Sequence, residues 1–206
     1  MSSRANVNLI RALLVFGLFG IAAVVLSVRA ALQNATIEVV PPTTQGLTQG
    51  TDAEVWFAIV KSSCNPVAVA TRIGRNPAPE TDEGMMYEAA CWALAGRTGE
   101  ARRLILELPE SSRWEAAGVV FGTGHPAADA GDELAAGPLM ELVVEFWPNH
   151  YQALYHAGAA RFQRGDYAEA EPYLTEFLRY YEQNDGWRRN AEAMLSEMPV
   201  GEVELG

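Results

Sequence analysis

Few side chains in this 206-residue chain stand in positions where they could do chemistry. Cys64 and Cys91 are the only two cysteines. No CxxC or CxxCH occurs, so covalent haem, dithiol redox chemistry and a zinc ribbon lack their minimum parts. A bond between them would close a 27-residue loop, and the chain-entropy model gives such a crosslink roughly 3–4 kcal/mol. The other reading is two separate buried thiols, since Cys91 lies in an apolar helical stretch. His125, Asp129 and Asp132 come closest to a catalytic or metal cluster. An imidazole beside carboxylates can act as base and orienter, or ligate an ion. No Ser or Cys nucleophile sits in a recognisable elbow and no HExxH is present. Loop ordering and helix capping explain the aspartates more simply, so no catalytic residue, metal or cofactor is expected. His150 and His156 stand six apart, which is not a same-face metal pair at helical spacing.

The elements that would carry these residues begin with a charge division. Three arginines and no acidic residue lie in residues 1–29, giving +3, while twelve basic against 26 acidic residues leave −14 for residues 30–206. So acidic a body repels phosphate backbones and anionic headgroups, which disfavours nucleic acid as a partner and adhesion to a lipid surface. Residues 12–28 are uncharged and include eleven large aliphatic or phenyl side chains. At 1.5 Å per residue that run covers about 26 Å, and flanking arginines can snorkel across the rest of a core of about 30 Å. Insertion is favoured by on the order of −3 to −6 kcal/mol. A cleaved signal peptide shares the Arg-bearing start and the small residues near Ala30, but its apolar core is usually shorter. The expected division is a cytoplasmic tail at 1–11, a transmembrane anchor at 12–29, an extended linker at 30–51 and a folded body at 52–206. Arg4 and Arg11 before the span place the tail in the cytoplasm and the body outside, in the periplasm if the cell is bacterial.

The body is helical in pattern throughout. Thr51 or Asp52 can cap a helix whose Val55, Trp56, Ile59 and Val60 recur at three-and-four spacing. Asn65 and Pro66 stop it and begin a short second helix, and residues 76–79 form a Pro-rich loop. Sustained period-two alternation is absent, so no strands are expected.

Comparing the chain with itself says more. When Gly165 is set on Gly96, Ala170 falls on Ala101, Leu174 on Ile105, Phe177 on Leu108 and Gly158 on Ala89. Both stretches spell helix, glycine turn, helix. A small residue on the first helix and an alanine on the second let antiparallel helices approach closely, and a glycine ends the first helix where a left-handed residue is wanted. On Leu154, Gly158, Gly165, Asp166, Tyr167, Ala170, Leu174 and Phe177 the chain resembles the tetratricopeptide repeat family. The resemblance spans about 115 residues and is strong in the last unit, fair in the first and poor in the middle one. Gly131 and Ala136 would be the middle unit's turn and second-helix positions. Its first helix is expected over 112–121, with a long loop at 122–131 where Gly122, Gly124 and Pro126 oppose a helix. A terminal helix with Trp187, Ala191, Met194, Leu195 and Met198 on one stripe would cap the stack, with Arg188, Arg189, Glu192 and Glu197 mostly turned away. The fold class expected is thus all-α: a transmembrane helix, then an α-solenoid of about three hairpins with a capping helix.

The resemblance also implies a groove lined by first helices that holds a partner's peptide or helix. By position, Gln152, Tyr155, Ala159, Phe162 and Gln163 would face it in the last unit, and Glu83, Met86, Ala90 and Leu94 in the first. The function expected is a non-enzymatic scaffold or adaptor on the extracytoplasmic side, with other proteins as partners and residues 12–28 in the membrane. A second reading is an accessory subunit of a larger membrane complex, respiratory, photosynthetic or secretory. A third is an enzyme centred on residues 122–132, where the repeat pattern fails.

Overall fold

The computed structural model of the chain describes residues 50–199. The expected tail, anchor and nearly all of the linker lie outside the described residues. Among the described residues no helix is long and apolar enough to cross a membrane, and there is no strand. Nine α-helices follow one another among the described residues: α1 Asp52–Val60, α2 Val69–Arg75, α3 Asp82–Leu94, α4 Thr98–Glu107, α5 Arg113–Asp129, α6 Glu133–Phe146, α7 Tyr151–Arg164, α8 Tyr167–Tyr180 and α9 Gly186–Glu197.

Three pairs, α3–α4, α5–α6 and α7–α8, are antiparallel hairpins closed by the same turn. Gly96, Gly131 and Gly165 have φ of 72°, 85° and 80°, a left-handed conformation open to glycine at no steric cost. In each turn the glycine N–H bonds the carbonyl three residues back, at Ala93, Ala128 and Phe162. The next N–H reaches five residues back, from Arg97 to Trp92, Asp132 to Ala127 and Asp166 to Arg161. This double bond pattern satisfies carbonyls that a helix end would otherwise leave unpaired.

Small residues set the distances between helices. A Cβ at Gly158 would lie 2.7 Å from Leu174 Cγ, so α7 and α8 touch almost backbone to side chain. A Cβ at Gly137 would overlap the Ala160 methyl, which brings α6 equally close to α7. Ala101, Ile105 and Leu108 on α4 and its end, and Ala170, Leu174 and Phe177 on α8, are all buried at matching places. One apolar cluster runs from Trp56 through the first two hairpins to Ala153 and Ala157, and a second joins Leu154, Leu174, Phe177 and Ala191.

Three expectations need correction. The buried face of α1 is Ala53, Trp56, Phe57 and Val60, while Val55 and Ile59 are more than half exposed. The two faces are about one residue apart, and the one holding both aromatic rings goes inside because each ring buries more apolar area than a Val or Ile. Trp56 Nε1 also donates to the Asn76 carbonyl at 2.9 Å, and Phe57 packs on Tyr87 with centroids 5.3 Å apart. Second, residues 122–129 are not a loop: α5 runs unbroken to Asp129. Gly124 lies close to α6, since a Cβ there would sit 2.8 Å from the Leu139 Cδ2 methyl and 3.2 Å from its Cβ, and contact with α6 offsets the roughly 1 kcal/mol a glycine costs a helix. Third, Arg188 does not turn away. Its guanidinium donates to the Leu178 and Tyr181 carbonyls at the end of α8, groups with no partner inside their own helix.

Candidate functional site

The three histidines of the chain are linked by ring contacts that run through Phe121 and His125 on α5. The Phe121 ring lies 4.5 Å from that of His125 and 4.1 Å from that of His150, and His125 lies 5.3 Å from His156. Their roles differ. His150 precedes α7, and its Nδ1 accepts from the Ala153 N–H at 3.2 Å, so it is a helix cap. Burial holds its imidazole below the ordinary value, with nearby His125 adding in the same direction.

His125 and Asp129 stand one helical turn apart on the last stretch of α5, with Nε2 and Oδ1 3.4 Å from each other. Because the Gly131 turn reverses the chain at once, the first residue of α6, Glu133, comes back alongside. The close α6–α7 crossing through Gly137 and Ala160 then lays His156 against Glu133. Both carboxylate oxygens of Glu133 lie 3.0 Å from His156 Nδ1, in a pair that is almost wholly buried. His156 is 2% exposed, yet its Nε2 has no hydrogen-bond partner, and neither has the buried Nε2 of His125. Asp132, the third member of the cluster suggested by sequence, is elsewhere: its carboxylate accepts from the Ala135 N–H and caps α6.

A cleft of about 330 Å³ adjoins this group, lined by Asp129, Glu133, Tyr155, His156, Trp187 and Asn190 among others. The capping helix α9 supplies its far wall, with the Trp187 ring 4.6 Å from Tyr155 and 5.3 Å from His156. Burial pushes the Tyr155 hydroxyl above the ordinary phenol value; the Asn190 side chain opposes that and the Glu133 charge adds to it.

The residues expected to line a groove do not form one surface. Met86, Ala90 and Ala159 are buried, because α1 and α5 lie over α3, and α6 and α8 enclose α7. Glu83 accepts from the Thr51 hydroxyl at 2.8 Å and so holds α1 down. Leu94 is half-buried against the first core cluster. Phe162 packs on Tyr167 within its own hairpin, with centroids 5.5 Å apart. Gln152 and Tyr155 are half-buried and Gln163 is exposed. A second cleft, of about 570 Å³, lies on the first-helix side between α1, α3 and α5, with Lys61 and Glu115 in an otherwise largely apolar lining. Phe57, Tyr87, Trp114, Gly118, Val119 and Gly122 line it, and Trp114, 49% exposed, stands edge-on to Trp147. The spacing of Trp114, Gly118 and Gly122 at intervals of four was the signal in the sequence that could have found this stripe.

Cys64 and Cys91 are joined, with sulfurs 2.02 Å apart, and link the segment after α1 to the last turn of α3. No protein-family model matches this chain, and neither does any curated protein or solved structure.

Proposed function

We propose that the chain is a membrane-tethered adaptor of tetratricopeptide-like hairpins whose body stands on the extracytoplasmic side and binds a segment of another protein. The observation that carries this reading is the cleft between α1, α3 and α5, where an exposed indole rises beside two glycines that leave room for an inserted side chain. Exposed tryptophans in such settings are frequent anchors at protein interfaces. The −14 charge of residues 30–206 favours a basic partner segment and speeds its approach. Three identical turns support the repeat reading, the Cys64–Cys91 bond is consistent with an oxidising compartment, and the uncharged run at 12–28 supports the tether.

The test is purification of the full chain from its own membranes in mild detergent, with identification of what co-purifies. A partner should be recovered at a fixed ratio, and Trp114→Ala should lower its recovery about tenfold or more, as for an interface anchor, while Tyr155→Ala leaves it in place. Recovery unchanged by Trp114→Ala would remove this cleft as the binding surface. Release of the intact chain by alkaline carbonate would remove the tether.

The accessory-subunit reading is favoured by one observation. Val55 and Ile59 form an exposed apolar row on the first helix after the linker, a face open to a neighbouring subunit. Under that reading the chain co-migrates with a large complex, and replacing residues 12–28 by an unrelated spanning sequence abolishes the co-migration.

A further inference from the structure

One ligand atom from each of His125, Asp129 and His156 lies within 4.8 Å of the other two. We propose that these three side chains form a binding site for a divalent first-row transition ion of the zinc class, tying α5 to α7. The reading is independent of any role as an adaptor.

Four features of the site support it. The His156 ring has only one free nitrogen, because Glu133 occupies Nδ1 with both oxygens. Nε2 is thus the atom left for an ion, and it is buried with no hydrogen-bond partner, while the buried Nε2 of His125 has only the 3.4 Å contact with Asp129 Oδ1. A buried imidazole nitrogen without a partner, beside a second that makes only one long contact, is unusual, since buried polar atoms nearly always find a partner. A simple His–Glu ion pair would satisfy Nδ1 and leave His156 Nε2 unexplained.

The Glu133 contact is also what an ion would want behind its ligand. A carboxylate on the far nitrogen fixes the tautomer, orients the ring and raises its basicity as a ligand. The spacing is close to that of a bound ion. At bond lengths of about 2.0–2.2 Å, tetrahedral ligands stand about 3.4 Å from one another. His125 Nε2 and Asp129 Oδ1 are already 3.4 Å apart, so closure is a small movement of the two imidazoles toward each other. Asp129, with a side chain 56% exposed, is free to adjust.

The donor set selects the class of ion. Two imidazoles and one carboxylate suit zinc and its neighbours, whereas calcium and magnesium prefer oxygen alone. Three protein ligands leave at least one position for water or an exogenous ligand. Asp129 and His156 line the cleft beneath Tyr155, Trp187 and Asn190, so that position opens onto it.

The experiment uses the full chain, without a polyhistidine tag, purified in detergent, stripped with chelator and titrated with Co²⁺. Visible d–d absorption should saturate at one equivalent, and Zn²⁺ should displace it and raise the melting temperature. His125→Ala and Asp129→Asn leave the buried His156–Glu133 pair intact, and far-ultraviolet circular dichroism checks that they remain helical. Each should weaken Co²⁺ binding by about 100-fold or more, beyond the 10–100-fold typical when only an outer-shell partner is lost. Absence of d–d bands at millimolar Co²⁺ would overturn the proposal. So would bands that persist unchanged in the His125→Ala, Asp129→Asn double variant, because the ion would then be bound elsewhere.

Discussion

The two ends of the helical stack are closed by different means. At the first end, α1 and α2 cover the α3–α4 hairpin with six buried residues, Ala53, Trp56, Phe57, Val60, Val69 and Ile73, and a disulfide from Cys64 to Cys91 secures them. At the last end, α9 has no covalent tie. It buries Ala191, half-buries Trp187, Met194, Leu195 and Met198, and anchors Arg188 on the open carbonyls of α8. The difference follows from the shape of the covering segments. Twelve-residue α9 has one continuous apolar stripe, whereas α1 and α2 are nine and seven residues long with a turn between them. Short helices gain little on their own, and a crosslink makes good what their contacts lack.

That contrast can be broken most strongly inside the last hairpin. Phe177, on α8, is fully buried against Tyr155 and Tyr181, so Phe177→Ala should cost about 3–5 kcal/mol. Urea unfolding should show it, with hydrogen exchange in α7–α9 accelerating while the first end keeps its protection. If both ends lost protection equally, the stack would be one cooperative unit and the contrast only geometric.

The next largest effect lies at the first end. Cys64→Ser, or reduction, should cost about 3.5 kcal/mol by the chain-entropy relation for a 27-residue loop. Exchange should speed up in α1 and α2 with little change in α9. Two titratable thiols in protein isolated from its own membrane would contradict the bond.

Arg188→Ala comes third. It removes a charged donor, 24% exposed, from two helix-end carbonyls and should lower stability by about 1.5–3 kcal/mol, felt mainly as fraying of α9. Arg188→Lys should recover only part of this, because a single ammonium lacks the guanidinium's fork.

The smallest effect depends on pH. The Tyr181 hydroxyl donates to Asp185 at 2.6 Å, and that hydrogen bond, with burial and the carboxylate charge, pushes the phenol up to about 12. A raised folded value means that the stabilisation is complete below the unfolded phenol value of about 10 and is lost as pH rises from there through about 12. The same bond, with the N–H groups of Trp187 and Arg188, holds Asp185 below its usual range. Its contribution is therefore present above the ordinary carboxylate value and lost as pH falls through the depressed one. Tyr181→Phe should flatten the alkaline part of the stability profile relative to the parent. Identical profiles would show that this hydrogen bond does not help hold α9.

Much of the body could be read before any coordinates because its rules act over a few residues. Gly96, Gly131 and Gly165 terminate helices through φ, and the small and large positions around Gly158, Ala170, Leu174 and Phe177 fall a fixed number of residues from those turns. Thr51 caps α1 through a bond to Glu54, three residues away. Such features are local, so residue order is enough to specify them.

Where two local rules conflict or two helices must choose each other, only packing decides. Glycines and a proline at 122–126 argued against a helix, but Gly124 is the residue that lets α6 approach α5. Val55 and Ile59 fall on a three-and-four stripe with Trp56 and Val60, but Tyr87 and the Asn76 carbonyl receive the aromatic side, and Phe57 is buried in their place. His125 and His156 are 31 positions apart on different hairpins, and no periodicity connects them. They meet because the Gly131 turn and the Gly137–Ala160 crossing bring Glu133 and His156 back beside the end of α5. Contacts between helices depend on the sum of every side chain in the seam, a quantity that no window of neighbouring residues contains.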